Sequence, residues 1–183
     1  MDRRIQRTRH LLRDALFALI TERGYEAITI QDITERANLG RTTFYLHYRD
    51  KEELLQASLK ALMDDLRQEV EPRGEETCPY RSRSIHVFHH VAQQQHLYRA
   101  LLREAGSAGI GDMMRAYFAD LYQRRIVEPL RLGNTLPARG EIIAASAAGA
   151  LFWWLAHDLS PSAEEMGDLY WRLMAMGSEG VIR

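Results

Sequence analysis

Between Arg41 and Lys51 the run RTTFYLHYRDK gathers side chains suited to holding a nucleic acid. The forked guanidinium of Arg41 can donate two hydrogen bonds to the O6 and N7 edge of a guanine. Thr42 and Thr43 each pair a hydroxyl with a methyl, which fits a phosphate oxygen or a thymine methyl. Tyr45 and His47 add donors, although each can equally pack against its neighbours. Lys51 opens the next helix, where the dipole and the unpaired N–H groups also favour a phosphate.

The elements that must position these groups are legible on either side. Thr29 is a candidate N-cap, answered three residues on by Asp32, an acidic variant of the capping box. Ile30, Ile33 and Ala37 then share one helical face. Ala37-Asn38-Leu39-Gly40 breaks that helix: Asn38 tolerates the left-handed backbone of a tight turn, and Gly40 is an acceptable cap for a second helix from Arg41 to about Tyr48. Phe44, Leu46 and Tyr48 are expected to face the core. Asp50 caps another helix with Glu53 at its N3 position. Two short helices around a tight turn, the second rich in hydrogen-bonding side chains, imply a helix-turn-helix whose second helix enters the DNA major groove.

The same residues resemble the tetracycline-repressor (TetR/AcrR) family. The resemblance runs through Gly24-Tyr25, Thr29-Ile30-Gln31-Asp32-Ile33, Ala37, Thr43-Phe44-Tyr45-Leu46-His47-Tyr48 and Lys51-Glu52-Glu53-Leu54-Leu55, and covers about 5–67. Asn38 and Gly40 depart from the family's usual Gly and Ser/Thr, but both suit the same turn. Trp153-Trp154-Leu155-Ala156-His157-Asp158, with Pro161 and Glu164-Glu165-Met166, resembles one TetR-like C-terminal subgroup. The resemblance implies phosphate contacts from Tyr45, His47 and Lys51, a place for Thr29 at the start of helix two, and an effector pocket somewhere in the C-terminal half.

Bulk properties agree with a localised nucleic-acid surface. The 183 residues carry a formal net charge of -1, so no global basicity draws the chain to DNA. Residues 1–51 hold ten Arg/Lys against seven Asp/Glu, and the remainder is net acidic. Cys78 is alone, which fits a reducing, cytoplasmic compartment. No signal peptide is visible, and the longest apolar run, 142–156 interrupted by Ser146, is too short for a membrane span.

The rest of the chain reads as helices. Helix one is expected over 5–23, with Leu12, Leu16, Leu19 and Ile20 inward and Gly24 as its stop. Helix four, from Lys51 to about Val70, carries Leu55, Leu59, Leu62 and Leu66 on one face. A loop over 71–79 precedes a helix starting at Ser82 or Ser84 and running to about Gln95. A short helix follows over 97–104, then a long one from Ile110 to about Leu132, ended by Gly133, Asn134 and Pro137. The segment 138–157 is apolar nearly all round and must be covered on more than one side. Ser162 and Glu165 form a capping box for the last helix.

Three constellations in this half carry functional expectations. Phe88, His89, Met114, Tyr117, Phe118, Tyr122 and Trp154 are the candidate effector pocket, although any of them also serves as ordinary core. Ala145, Gly149, Phe152, Leu169 and Leu173 are the candidate dimer interface. His86 and His90 stand four apart, but no Cys or carboxylate completes a metal set at recognisable spacing.

The expected protein is therefore all-α, with about nine helices: a helix-turn-helix head over 1–50 and a regulatory and dimerisation domain over 51–183. It is expected to be a homodimeric regulator that binds double-stranded DNA at a pseudo-palindromic operator through Thr29, Arg41, Thr42, Thr43, Tyr45, His47 and Lys51. A repressor released by a small-molecule effector fits best. The alternative is a DNA-bound co-activator or adaptor whose C-terminal domain binds a protein. No catalytic constellation, cofactor, metal or membrane partner is expected.

Overall fold

The computed structural model describes residues 3–70, 79–103, 110–127 and 137–179. Among them every regular element is helical: α1 Arg3–Arg23, α2 Ile30–Arg36, α3 Arg41–Tyr45, α4 Lys51–Glu69, α5 Pro79–Gln93, α6 Gln95–Arg103, α7 Ile110–Tyr122, α8 Pro137–Ala156 and α9 Ala163–Glu179. A π-helical turn, Gln123–Val127, extends α7. No described helix is long and apolar enough to cross a membrane. Two compact units divide the chain: Met1–Asp64 with His96–Gly111, and Asp65–Gln95 with Asp112–Arg183.

The first unit is built around the face of α1 that the leucine spacing predicts. Leu12, Leu16, Leu19 and Ile20 are buried with Ile33, Ala37, Phe44, Leu54, Leu55 and Leu59. Each such aliphatic or aromatic side chain contributes roughly 1.5–3 kcal/mol on burial. Ile5 and Leu11 of the same helix are exposed. Gly24 stops α1 at φ 80°, its N–H reaching back to the Ile20 carbonyl at 2.9 Å. A forked ion pair from Arg36 to Glu22, at 2.6 and 2.8 Å, ties α2 to α1.

The second unit layers α5 against α9 and seats α8 beside them. Its centre is aromatic. Phe88 meets Trp154 edge-on at 5.2 Å, and Tyr122 meets Tyr170 edge-on at 5.3 Å. Buried phenols need partners: the Tyr122 hydroxyl lies 3.4 Å from Ser84 Oγ, the Tyr170 hydroxyl lies 2.8 Å from Ser146 Oγ, and Trp154 Nε1 donates to the Pro161 carbonyl at 2.6 Å. Burial pushes the Tyr170 phenol up to about 12 and the Tyr122 phenol upward as well. The Ser162–Glu165 capping box forms as expected, with the Ser162 N–H donating to Glu165 at 2.9 Å and the Glu165 N–H to Ser162 Oγ at 3.3 Å.

Several boundaries differ from the sequence expectation. α5 begins at Pro79, ahead of Ser82 and Ser84, because proline is well tolerated in a first helical turn. α6 begins at Gln95. The helix expected to reach Leu132 is regular α only to Tyr122 and then widens into the π turn. Gly133 and Asn134, its expected stops, lie outside the described residues, as does Cys78.

Candidate nucleic-acid interface

The capping box at the start of α2 fixes the first half of the helix-turn-helix. Thr29 is extended at φ -106° and ψ 161°, and its Oγ1 accepts the Asp32 N–H at 3.2 Å. Asp32 in turn accepts the Thr29 N–H at 2.8 Å and its hydroxyl at 2.6 Å. Those two bonds, with the Arg23 guanidinium at 2.9 Å, hold the Asp32 carboxyl down at about 2. Thr29 thus spends both its N–H and its hydroxyl on the cap. The turn that follows uses Asn38 at φ 52°, the left-handed conformation that asparagine tolerates.

α3 is shorter than expected, five residues from Arg41 to Tyr45, capped by Gly40 without a side-chain bond. Phe44 is wholly buried, Tyr48 nearly so, and their rings lie 6.0 Å apart. Leu46, expected to join them, is 77% exposed. The reason is helical periodicity. Phe44 and Tyr48 are four apart and share a face, whereas a residue two positions from each points the opposite way. Arg9 of α1 stands 5.9 Å from the Tyr48 ring and adds a cation–π contact behind the turn.

The outward face of α3 presents Arg41, Thr42 and Tyr45, all exposed, with Thr43 and His47 half-buried at its margins. Tyr45 is 58% exposed and rests edge-on against Phe44 at 5.5 Å. The Arg41 guanidinium donates to the Gln31 amide oxygen, and the Gln31 nitrogen donates to Glu35 at 2.7 Å. Gln31 and Glu35 therefore aim Arg41 from α2. The sequence reading missed this relay, although the i, i+4 spacing of Gln31 and Glu35 hints at it.

Lys51 has a second engagement that spacing did not reveal. Its ammonium donates to the Tyr25 carbonyl at 3.0 Å and the Ile28 carbonyl at 2.9 Å, and lies 4.1 Å from the centre of the Tyr25 ring. It clamps the α1–α2 connection to the start of α4. Burial and three nearby carboxylates push the Tyr25 phenol up to about 12, so the ring stays neutral beneath the cation. Asp50 caps α4 as expected, accepting the Glu53 N–H at 2.8 Å. Glu53 turns back to Arg49, accepting its backbone N–H at 2.7 Å and its Nε at 3.1 Å.

The residues expected to line an effector pocket divide. Phe88, Met114, Phe118, Tyr122 and Trp154 are buried in the second unit, Tyr117 is half-buried, and His89 is exposed. The residues expected at a dimer interface lie outward: Ala145, Gly149, Leu169 and Leu173 are exposed and Phe152 is half-buried. His86 and His90 do not converge. Exposed His86 bonds the Ser82 carbonyl at 2.8 Å, and buried His90 bonds Glu69 at 2.9 Å.

Comparison with known proteins places this geometry. The profile of the bacterial regulatory proteins, tetR family, matches residues 12–58. An HTH-type transcriptional regulator of Bacillus subtilis (strain 168), YxbF, itself uncharacterised, is 48% identical over 61 residues, which span 33% of this chain and 16% of that protein. Solved structures share the fold across the described length. A TetR-family transcriptional regulator from Syntrophomonas wolfei str. Goettingen superposes with a TM-score of 0.75 at 20% identity, covering 97% of both chains. SmeT, the repressor of the Stenotrophomonas maltophilia multidrug efflux pump SmeDEF, superposes at 0.67 with 22% identity, covering 92% of this chain and 89% of that one. The matched stretch contains the whole of α2, the turn and α3, and over it the chain is similar to the tetR family of bacterial regulatory proteins.

Proposed function

We propose that the chain is a homodimeric, DNA-binding transcriptional regulator whose α3 lies in the major groove of a pseudo-palindromic operator. One observation carries this: Arg41, Thr42 and Tyr45 share the outward face of a short helix whose back is locked by buried Phe44 and Tyr48. Rigidly mounted donors of this kind read base edges, while neighbouring contacts to phosphate set the register. In this reading Arg41 specifies a guanine, and Thr42, Thr43, Tyr45 and His47 contact base methyls or phosphate. Thr29 serves chiefly as a cap, and Lys51 serves as a clamp that leaves one N–H for a phosphate.

The head spans 1–50 and the regulatory part 51–183. Ile142, Ala145, Gly149 and Trp153 line one exposed stripe of α8, and Leu169 and Leu173 one of α9. A second copy covering these stripes gives a dimer with two heads, as a two-fold operator requires. We read the protein as a repressor, released when a small molecule opens space among Phe88, Met114, Tyr117, Phe118, Tyr122 and Trp154. Its work is binding and not catalysis.

The test is selection of duplexes from a random library by the full-length protein. The expected product is an inverted repeat with half-sites roughly one helical turn, ~34 Å, apart or a multiple of it, bound by the dimer and lost in Arg41→Ala. Selection that enriches no sequence overturns the reading.

A further inference from the structure

Over residues 3–13, α1 carries five arginines and neither Asp nor Glu. Its first turn has no acidic residue, whereas the first turns of α2, α4 and α9 do. Cations gathered there oppose the helix dipole, so the run does not serve the helix itself. Arg3, Arg7 and Arg9 are exposed, and among the described residues none of them meets a carboxylate. Arg23, Arg36 and Arg49 of the same unit each do, at 2.9, 2.6 and 3.1 Å. The basic run is tied to the helix-turn-helix at one point. The Arg9 guanidinium stands 5.9 Å from the centre of the Tyr48 ring, and that ring lies 6.4 Å from the ring of His47. Burial raises the Tyr48 phenol, and Arg9 and Arg13 both lie near enough to oppose the rise.

We propose that Arg3, Arg7 and Arg9 of α1 hold phosphates of the DNA backbone beside the groove that α3 enters. This rests on the DNA-binding reading above and extends the contact beyond the helix-turn-helix. The major groove is about 12 Å wide and walled by phosphates. A cation mounted beside the end of α3 therefore meets the wall and not the base edges. Guanidinium forks fit phosphate oxygens in pairs, and a guanidinium with no internal carboxylate breaks no ion pair on binding. The Tyr48 ring seats Arg9 next to His47, which lessens the rotamer freedom that its long side chain loses on contact. Arg3 and Arg7 stand four apart on the side of α1 away from Leu12, Leu16 and Leu19. They are open to a neighbouring stretch of the same backbone. An anionic lipid surface also attracts arginines, but it takes up a helix by an apolar face. The apolar face of α1 is already spent on the core of the head.

The experiment titrates the full-length protein with the duplex enriched in the selection above and with a scrambled duplex, at several salt concentrations. Arg7→Gln and Arg9→Gln should each weaken both duplexes alike and lower the slope of log affinity against log salt by about one. Arg9→Lys should keep the slope, since a point charge still reaches the phosphate. Arg103→Gln makes the same charge change at an exposed site on α6 and should leave the slope as it is. Neutral methylphosphonates, placed one linkage at a time, then locate the contact. At one linkage or more, neutralisation should weaken the wild type and leave Arg9→Gln unaffected. Unchanged slopes in both glutamine variants overturn the proposal, as does an equal loss in Arg103→Gln or the lack of any linkage that depends on Arg9. So does arginine-dependent binding to phosphatidylglycerol vesicles with duplex binding unaltered. A wild type that binds no duplex removes the DNA-binding reading and this proposal with it. A wild type that reads its operator through Arg41, with α1 variants that bind as it does, removes the α1 contact alone.

Discussion

In the helix-turn-helix each boundary is set by residues a few positions away, whereas the layer of α5 and α9 depends on one contact between distant parts of the chain. Thr29 answers Asp32, Asn38 takes the left-handed turn, and Asp50 caps Glu53. Nothing within 4 Å of Gly40 would meet an added side chain there. In the second unit a Cβ placed on Gly167 would lie 2.5 Å from the Ile85 Cα. The two helices approach backbone to backbone, and only a residue without a side chain permits it. The first region is specified by local chemistry and the second by the absence of atoms at one point.

The largest test of this contrast is Gly167→Ala. The obstacle is backbone, which cannot swing aside as a flexible side chain can, so the substitution should destabilise the chain by about 3 kcal/mol or more. Gly149→Ala, where a Cβ meets nothing within 4 Å, should leave the fold intact or gain the ~0.5–1 kcal/mol of helix propensity. Denaturant unfolding of the two variants measures the difference, and equal stabilities would erase the contrast. Gly149→Leu adds a second readout. It should keep the folded protomer but lose the dimer in sedimentation, and an unchanged dimer would take α8 out of the proposed interface.

Lys51→Ala sharpens the same comparison inside the head. It removes two charge-assisted hydrogen bonds to carbonyls and should cost about 2 kcal/mol of stability, alongside weaker binding to every DNA sequence. A normal melting temperature with impaired DNA binding would make Lys51 a phosphate contact and nothing more.

Arg41→Ala should cost ~1–3 kcal/mol of base discrimination at one position of each half-site and leave melting unchanged. Tyr45→Phe should weaken cognate and scrambled duplexes alike. Titrations of both variants at several salt concentrations separate the two roles. If Arg41→Ala lost affinity equally for all sequences, Arg41 would belong to the backbone contacts.

The smallest effect concerns the cap itself. Asp32 is held at about 2, below the ordinary aspartate value of about 3.9. A depressed carboxylate stabilises the fold above its unfolded pKa, and that contribution fades as pH falls from about 4 to about 2. The stability gap between wild type and Thr29→Ala should therefore be full at pH about 5 and smaller at pH about 2.5. A gap of equal size at both would mean that the Thr29–Asp32 bonds are not what lowers the carboxyl.

What the sequence made legible follows the same division. The capping boxes at Thr29–Asp32 and Ser162–Glu165, the stop at Gly24 and the buried stripe Leu55, Leu59, Leu62 and Leu66 all depend on spacings of three or four, which periodicity exposes. Leu46 departs from the core expectation because it stands two positions from both Phe44 and Tyr48, which puts it on the opposite side of a helical turn. The Lys51 clamp, the Gly167 contact and the π turn were invisible for another reason. The first two depend on backbone atoms supplied from elsewhere in the chain and the third on a distant guanidinium, Arg83, meeting the Arg125 carbonyl, and no local pattern of side-chain types records such a meeting.

The division of labour on α3 has a consequence for how such a protein can change over time. Phe44 alone among its five residues is buried, and it carries the helix's attachment to the core. Arg41, Thr42 and Tyr45 look outward and hold up little besides themselves. If α3 reads DNA as proposed, replacements there alter what it recognises while the folding free energy stays nearly constant, because exposed positions away from caps and cores shift stability by only about 0.5 kcal/mol. Under the proposed function, a duplicated copy of this gene can therefore drift to a new operator through successive single substitutions, each giving a folded protein. The short length of α3 keeps the lineage's innovation confined to a few codons.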